Sequence, residues 1–289
     1  MTETATESAV IQPTTRHQLG GGAVRVLCFG LATGDWRLYP NLDTDLSWQQ
    51  LSKVRMLAQA NGIADPNRDL ICLDAREFNA EIVNGKKVGG SVVKADGVAL
   101  QPGQGVFLAT GDCPTIVARA REAGHTIVAH AGLKSLVDQP LIETGQRSRE
   151  DGSVVDTIMK HFSSWTKDLE VGIYCGIGWR SFHHYTEGQP TNTEKTEANR
   201  RLINYLGCRW GDTFLGPEPM GQINLAGLIV EQFANHGVSR HQIKWDRVDT
   251  AYDRNNDGQT KRWWSHRRWF DEGQNGPDGR DGVFVFRYH

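Results

Sequence analysis

Three consecutive apolar segments near the middle of the chain constrain its fold most strongly. Gly105–Thr110 predicts a buried strand, and Thr115–Ala120 and Thr126–Ala131 predict a hairpin around Arg121–Gly124. Short apolar segments that are rich in β-branched residues and bounded by turns are typical of strands rather than helices. The centre of the chain therefore predicts a β-sheet, around which the remaining elements must be arranged.

Helical periodicity on both sides of this centre predicts a mixed arrangement of helices and strands. Apolar residues recur at helical spacing over Ser47–Gly62, Ser153–Trp165 and Asn224–Asn235, and a shorter helix is predicted over Asn199–Leu206. Further strands are predicted over Ala23–Ala32, Leu70–Leu73, Ala80–Val83, Val171–Ile177 and Val283–Phe286. Since neither an internal repeat nor an interdomain linker is apparent, the sequence predicts one domain of mixed α and β type.

Three polar segments are not expected to form part of the core of this domain. Residues 1–20 carry little apolar surface to offset the entropy of ordering, so we expect a disordered N-terminal tail before a domain over residues 21–289. The polar stretches near 137–151 and 186–198 predict inserted loops.

Composition excludes several classes of function. With 32 Lys and Arg against 34 Asp and Glu, the net charge of −2 provides no general attraction for nucleic acid or anionic membranes. No apolar run approaches the roughly 18 residues of a membrane helix, and the first residues lack the apolar core of a secretion signal. The five widely spaced cysteines contain no CxxC pair and so predict no disulfide framework. We therefore expect a cytoplasmic protein that binds neither nucleic acid nor membrane.

The strongest candidate for chemistry is a cysteine and a histidine at neighbouring strand ends. Asp112 and Cys113 follow the buried central strand, and His130 ends the second strand of the predicted hairpin. Pairing of these strands would bring Cys113 and His130 together, although they lie 17 residues apart. Cysteine and histidine both ligate zinc, and the same pair suits nucleophilic catalysis, so both chemistries remain open at this stage.

A second candidate combines adjacent arginines with tryptophans near the C-terminus. Arg267 and Arg268 lie beside Trp263, Trp264 and Trp269. Guanidinium groups bind anions such as phosphate, and indole rings provide faces on which a nucleobase can stack. We accordingly expect Trp264, Arg267 and Arg268 to bind substrate.

Several stretches, in order along the chain, resemble the laccase-domain proteins, also called the polyphenol-oxidase or peptidoglycan-editing-factor family. Thr110-Gly111-Asp112-Cys113 is similar to the family's Thr-Ala-Asp-Cys, and His130-Ala131-Gly132 to the start of its His-Ala-Gly-Trp-Arg-Gly. The remaining similar stretches are Lys94-Ala95-Asp96-Gly97, Gly176-Ile177-Gly178, Asn224-Leu225 through Gly237-Val238, Trp264-Ser265-His266-Arg267-Arg268 and Gly279-Arg280. The resemblance extends from about residue 26 to residue 286 and implies one α+β domain with mixed sheets flanked by helices.

The resemblance also implies a zinc-dependent enzyme, because some members act as purine nucleoside phosphorylases. In this interpretation Cys113 and His130 ligate zinc. Asp112 supports these ligands without touching the metal, or it carries a proton. The family's third ligand, a histidine of a Gln-Val-His-Gly stretch, has no counterpart here, so Glu77, Asp74 or a displaced histidine such as His266 would replace it. Lys134 replaces the arginine that follows the family's His-Ala-Gly, and with Arg268 it would bind the attacking phosphate.

Four alternatives remain open. Related members imply adenosine deamination or an amidase that edits peptidoglycan precursors, so the substrate would be a nucleoside with phosphate or a muropeptide. A metal-free hydrolase would use Cys113 as nucleophile and His130 as base, and a protein without activity would keep only the pocket. Copper oxidase chemistry is not expected, because the chain lacks the His-x-His pairs of a multicopper cluster.

Overall fold

The computed structural model describes residues 11–37, 45–75, 79–150, 152–187, 193–275 and 277–289. The strands in this part of the chain are β1 (Thr15–Leu19), β2 (Val24–Phe29), β3 (Leu70–Leu73), β4 (Ile82–Asn84), β5 (Val92–Val93), β6 (Gly97–Leu100), β7 (Gly105–Thr110), β8 (Thr115–Ala120), β9 (Thr126–His130), β10 (Leu169–Tyr174), β11 (Ile243–Trp245) and β12 (Asp281–Arg287). The helices are α1 (Asp45–Ala60), α2 (Pro66–Asp69), α3 (Gly85–Val88), α4 (Leu133–Leu136), α5 (Gln139–Thr144), α6 (Val154–Phe162), α7 (Thr193–Trp210), α8 (Leu225–Asn235) and α9 (His266–Asp271).

The strands form two six-stranded mixed sheets. Sheet 1 has the order β1-β2-β12-β7-β3-β5, and sheet 2 has the order β11-β10-β8-β9-β6-β4. The predicted hairpin is confirmed, because β8 and β9 pair antiparallel with Ile116 opposite Ala129. The preceding strand β7 belongs to sheet 1, so the chain crosses from one sheet to the other between Thr110 and Thr115.

Strand alternation explains how the two sheets pack into a single α+β domain. In β12, Val283 and Val285 belong to a buried cluster with Val117 and Val128 of sheet 2, so this cluster lies between the sheets. The alternate residues of sheet 1, such as Phe284, join a second cluster with the apolar face of α1. A third cluster joins the outer face of sheet 2 to α6, α7 and α8. Because both faces of each sheet are covered, the central strands are apolar throughout.

Local capping residues determine where two of the predicted helices begin. The Ser153 hydroxyl accepts a hydrogen bond of 3.1 Å from the Asp156 amide at the start of α6, and Asn224 caps α8 through the Gly227 amide. Helix α1 begins at Asp45, two residues before the predicted Ser47. Within the described residues, no helix is long and apolar enough to cross a membrane.

The N-terminal tail differs from the expected disorder over its described part. Residues Thr15–Leu19 form β1, which pairs antiparallel with β2 along its whole length, and Leu19 is buried. Composition alone does not predict this strand, because its polar and half-buried side chains alternate. Its order depends instead on backbone hydrogen bonds to the neighbouring strand of sheet 1. Residues 1–10 lie outside the described part of the chain.

Both predicted insertions also contain helical structure. Helix α5 occupies Gln139–Thr144, and Asp138 accepts hydrogen bonds from the amide and hydroxyl of Ser148 that close this segment. Helix α7 begins at Thr193 and continues to Trp210, so it is longer at both ends than the predicted Asn199–Leu206. Charged residues on the exposed face of α7 masked its helical periodicity.

Candidate active site

The crossing between the two sheets brings Cys113 next to His130. Cys113 lies between β7 and β8, and the Thr110 hydroxyl donates a 2.6 Å hydrogen bond to its carbonyl. The first residue of β8, Thr115, is opposite His130 in the antiparallel register. Cys113 and His130 therefore lie side by side, both next to Gly132, as expected from their positions at strand ends.

Asp96 completes a chain of three polar side chains. His130 Nδ1 lies 3.6 Å from Asp96 Oδ1, and the His130 amide donates a 2.7 Å hydrogen bond to the Asp96 carbonyl. Asp96 is fully buried, and its Oδ2 accepts a 2.7 Å hydrogen bond from the Ala80 amide. Burial opposes the charge on His130, but Cys113 and Asp96 outweigh that effect and raise the pKa of His130 to about 10. Sequence reasoning noted the Ala-Asp-Gly stretch but did not place Asp96 in the site.

The backbone at Gly132 passes close to Cys113 and His130. An added Cβ there would lie 2.8 Å from Cys113 Sγ and 3.0 Å from His130 Cε1, so only a residue without a side chain fits beside both. Asp96 behind the imidazole matches the carboxylate that commonly orients a zinc-binding histidine. Two donor atoms and one orienting carboxylate therefore fit a zinc site that is missing one protein ligand.

Within the described residues, no third metal-ligating side chain groups with Cys113 and His130. The predicted Glu77 lies in residues 76–78, outside the described part of the chain. His266, the predicted replacement, is exposed, and its Nδ1 lies 3.3 Å from Asp278. Within the described residues, the group of three metal-ligating side chains that the structure contains lies elsewhere, at His17, Cys28 and Asp246. Ala80, which follows Glu77 by three residues in the sequence, donates its amide to Asp96.

Asp112 anchors neighbouring loops. It is buried, and its carboxylate accepts hydrogen bonds of 2.6 Å from the Thr250 hydroxyl and 2.7 Å from the Arg267 amide. Its φ of +96° lies in a region that few residues other than glycine occupy, which is typical of a backbone held by its surroundings. Burial raises the pKa of Asp112 above its usual range. The geometry gives Asp112 a positioning role for Cys113, the next residue.

Arg267 and Arg268 make different contacts. Both lie in helix α9 rather than in a strand. Arg268 uses both terminal nitrogens for backbone carbonyls, at 2.9 Å from Ala251 and 2.8 Å from Trp263. The Arg267 guanidinium lies over the Phe182 ring, 5.3 Å from its centre. Trp264 packs against Gly279 and donates to the Gly34 carbonyl at 3.2 Å. The expectation that Arg268 binds phosphate is therefore revised, because its donors hold the 250–264 loop together.

Replacing Arg268 with alanine is expected to lower the stability of the protein rather than to change its phosphate requirement. The change leaves part-buried carbonyls without a donor, and hydrogen bonds to charged groups contribute about 1.5–3 kcal/mol each. We expect a loss of about 2–3 kcal/mol in the free energy of unfolding by urea denaturation. Unchanged stability, together with a phosphate requirement raised by ten- to a hundredfold, would restore the original interpretation. Exposed Arg200→Ala serves as the control.

A groove that sequence reasoning missed lies next to the cysteine. It has a volume of about 360 Å³, and its lining includes Pro114, the residue after Cys113. Two half-exposed indoles, Trp179 and Trp245, line the groove together with Arg180 and Arg247. Concave sites of this volume with aromatic walls and a few charged groups are typical of small-molecule binding. The Gly176-Ile177-Gly178 stretch was the available signal, since Trp179 and Arg180 follow it directly.

The lysine next to the site stands at the surface. Lys134 lies in the first turn of α4, which begins directly after Gly132. Its side chain is exposed, so it can add positive charge at the surface near Gly132.

Comparisons with known proteins show the family of this chain and agree with its fold. The family model described as multi-copper polyphenol oxidoreductase laccase matches residues 53–286. A Bacillus licheniformis hypothetical protein YfiH shares the fold at a TM-score of 0.63 and 16% identity, covering 91% of this chain and 92% of that one. YlmD from Geobacillus stearothermophilus has a TM-score of 0.63 at 17% identity and 92% coverage of each chain. A Neisseria meningitidis protein of family DUF152 has a TM-score of 0.62 at 13% identity, over 95% of this chain and 99% of that one. No curated protein matches the sequence.

Proposed function

Because this chain belongs to the multi-copper polyphenol oxidoreductase laccase family, we propose that it is a zinc-dependent enzyme that cleaves purine nucleosides with phosphate. The observation that supports this proposal is that Cys113 and His130 lie together beside Gly132, with Asp96 behind the imidazole. Cys113, His130 and Glu77 would hold the zinc ion. The ion would supply Lewis-acid polarisation of the substrate or a nucleophilic water.

The protein's own residues provide the remaining functions. Asp96 fixes the orientation of the His130 ring, and Asp112 holds the backbone next to Cys113. The indoles of Trp179 and Trp245 offer faces for the purine ring, as aromatic side chains do for planar ligands. In the same groove Arg180 and Arg247 provide guanidinium groups, which bind phosphate through paired charge-assisted hydrogen bonds. This groove takes the substrate-binding role first assigned to Trp264, Arg267 and Arg268.

The decisive experiment measures purine release from inosine and adenosine at increasing phosphate concentration, with metal content determined on the same protein. We expect cleavage to rise with phosphate, to saturate and to yield ribose 1-phosphate together with the free base. Zinc should be present, and removing it with a chelator should stop the reaction. Equal cleavage in phosphate-free buffer would exclude phosphorolysis, and bound copper together with oxidation of phenols would contradict the expectation that the protein is not a copper oxidase.

A second candidate is a metal-free cysteine hydrolase that acts on amides, such as those of peptidoglycan precursors. It is favoured by the order thiol, imidazole and carboxylate in Cys113, His130 and Asp96, which matches a nucleophile, its base and an orienting group. The thiolate sulfur would attack the amide carbonyl to form a thioester, and the amine would leave with the proton from His130. Water would then hydrolyse the thioester.

Two measurements separate these candidates. The hydrolase should keep its activity on muropeptide amides after chelation, and iodoacetamide should alkylate Cys113 rapidly, because only a thiolate reacts fast near neutral pH. The zinc enzyme should lose activity on chelation. A protein that binds nucleosides or muropeptides without converting them would instead be a binding protein with a remnant site.

A further inference from the structure

A second group of metal-ligating side chains lies at the seam between the two sheets. His17 of β1 and Cys28 of β2 come from the edge of sheet 1, and Asp246 follows β11 at the edge of sheet 2. One ligand atom from each of the three lies within 4.8 Å of the others, and His17 Nε2 is 3.8 Å from Asp246 Oδ2. We propose that His17, Cys28 and Asp246 form a structural zinc site that joins the two sheets.

The ligand atoms are buried and in part without other partners. Cys28 is fully buried, and the Asp246 side chain is 3% exposed. His17 Nε2 is buried and has no hydrogen-bond partner among the described residues. A buried imidazole nitrogen without a partner is costly, and ligation of a metal ion would satisfy it.

The groups around these atoms hold them in place. Asp246 accepts hydrogen bonds of 3.0 Å from the Cys175 amide through Oδ2 and of 3.0 Å from the Val248 amide through Oδ1. The His17 ring packs against Tyr174, with 4.8 Å between the ring centres. Such outer contacts fix the orientation of metal ligands and are typical of built sites.

The donor set indicates the kind of metal. A thiolate, an imidazole and a carboxylate together suit zinc, whereas calcium and magnesium require oxygen ligands. His17, Cys28 and Asp246 supply three of the four ligands that a zinc ion requires, and all three lie inside the protein.

A path from solvent leads to these three residues. Asp246 also lines the groove that contains Trp179 and Trp245, which gives an ion a route from solvent.

The test uses Cys113→Ala protein, so that its outcome does not depend on the proposed function. Chelated Cys113→Ala protein in a non-thiol reductant is titrated with zinc against a fluorescent indicator. We expect one zinc per chain and a higher melting temperature with zinc than with chelator, because the ion binds the folded state. Cobalt in place of zinc should give a thiolate-to-cobalt charge-transfer band.

Variants of the ligands make the assignment specific. In the same background, His17→Gln and Cys28→Ser should each weaken zinc binding by on the order of 100-fold or more, since loss of outer contacts alone costs 10–100-fold. Their melting temperatures with chelator should remain close to that of the Cys113→Ala parent, which shows that they fold. Cys208→Ser, at an exposed position in α7, should bind zinc as the parent does.

Two results would overturn the proposal. One is the absence of zinc binding by the folded Cys113→Ala protein. The other is a bound zinc whose affinity and cobalt spectrum do not change in His17→Gln and Cys28→Ser. In either case, His17, Cys28 and Asp246 would be a polar contact between the sheets and not a metal site.

Discussion

Replacing Cys113 with alanine is expected to lower turnover of the true substrate by at least about 10³-fold. The thiol is a zinc ligand in one proposed mechanism and the nucleophile in the other, and no neighbouring group can replace it in either. The side chain is only half-buried, so we expect the free energy of unfolding to change by about 1 kcal/mol or less. Steady-state kinetics and urea denaturation on the same preparation check both expectations.

The matched control removes another thiol from a position away from the site. Cys208→Ala, in α7, should retain wild-type turnover. Activity that survives in Cys113→Ala would contradict both mechanisms. It would indicate that the reacting groups lie in the groove alone. Loss of activity in both variants would indicate a general effect of cysteine substitution.

The strands of the core were predictable, but their assignment to sheets was not. Continuous apolar segments such as those of β7, β8 and β9 correctly predicted buried strands, because both of their faces are covered. Nothing local shows that β7 and β8 lie in different sheets, since the crossing consists of four polar and small residues, Gly111–Pro114. That crossing is also what brings Cys113 beside His130, so the pairing was predicted for a reason that was only partly correct.

The edge of sheet 1 was missed because its stability is not local. Strand β1 has few apolar residues of its own, and its order depends on pairing with β2 and on the burial of Leu19. Composition measures what a segment can bury by itself, and it underestimates strands that are held by a neighbour. The same error hid His17, because a histidine in a supposedly disordered tail was not considered as a ligand.

The residues of the candidate site could be predicted where they belong to a sequence motif. They were harder to predict where contacts between distant segments determine the role of a side chain. Cys113 and His130 follow from their positions at strand ends, and the structure brings them together. The role of Arg268 depends on carbonyls of Ala251 and Trp263 that only the folded chain brings within reach. The groove depends likewise on β10 and β11 lying side by side, which places Trp179 and Trp245 on one surface.

Replacing Asp96 with asparagine is the second substitution from which we expect a large effect, a fall in kcat of about 10²–10⁴ with the fold retained. Asp96 Oδ2 accepts from the Ala80 amide while Oδ1 faces His130 Nδ1, so both oxygens are engaged. Asparagine has one oxygen, and keeping it on the Ala80 amide would turn its NH₂ group toward Nδ1. The imidazole would then have to carry its proton on Nε2, the nitrogen that faces Cys113.

This tautomer defeats either mechanism, because a protonated Nε2 can neither ligate zinc nor accept a proton from the thiol. We therefore expect kcat to fall while KM changes little, and zinc affinity to fall by about 10–100-fold if the metal mechanism applies. Asp257→Asn, in an exposed turn, is the matched control for the exchange of an acid for its amide. If Asp96→Asn protein folds and turns over at the wild-type rate, Asp96 only anchors Ala80, and the orientation of His130 comes from Cys113 and the end of β9 alone.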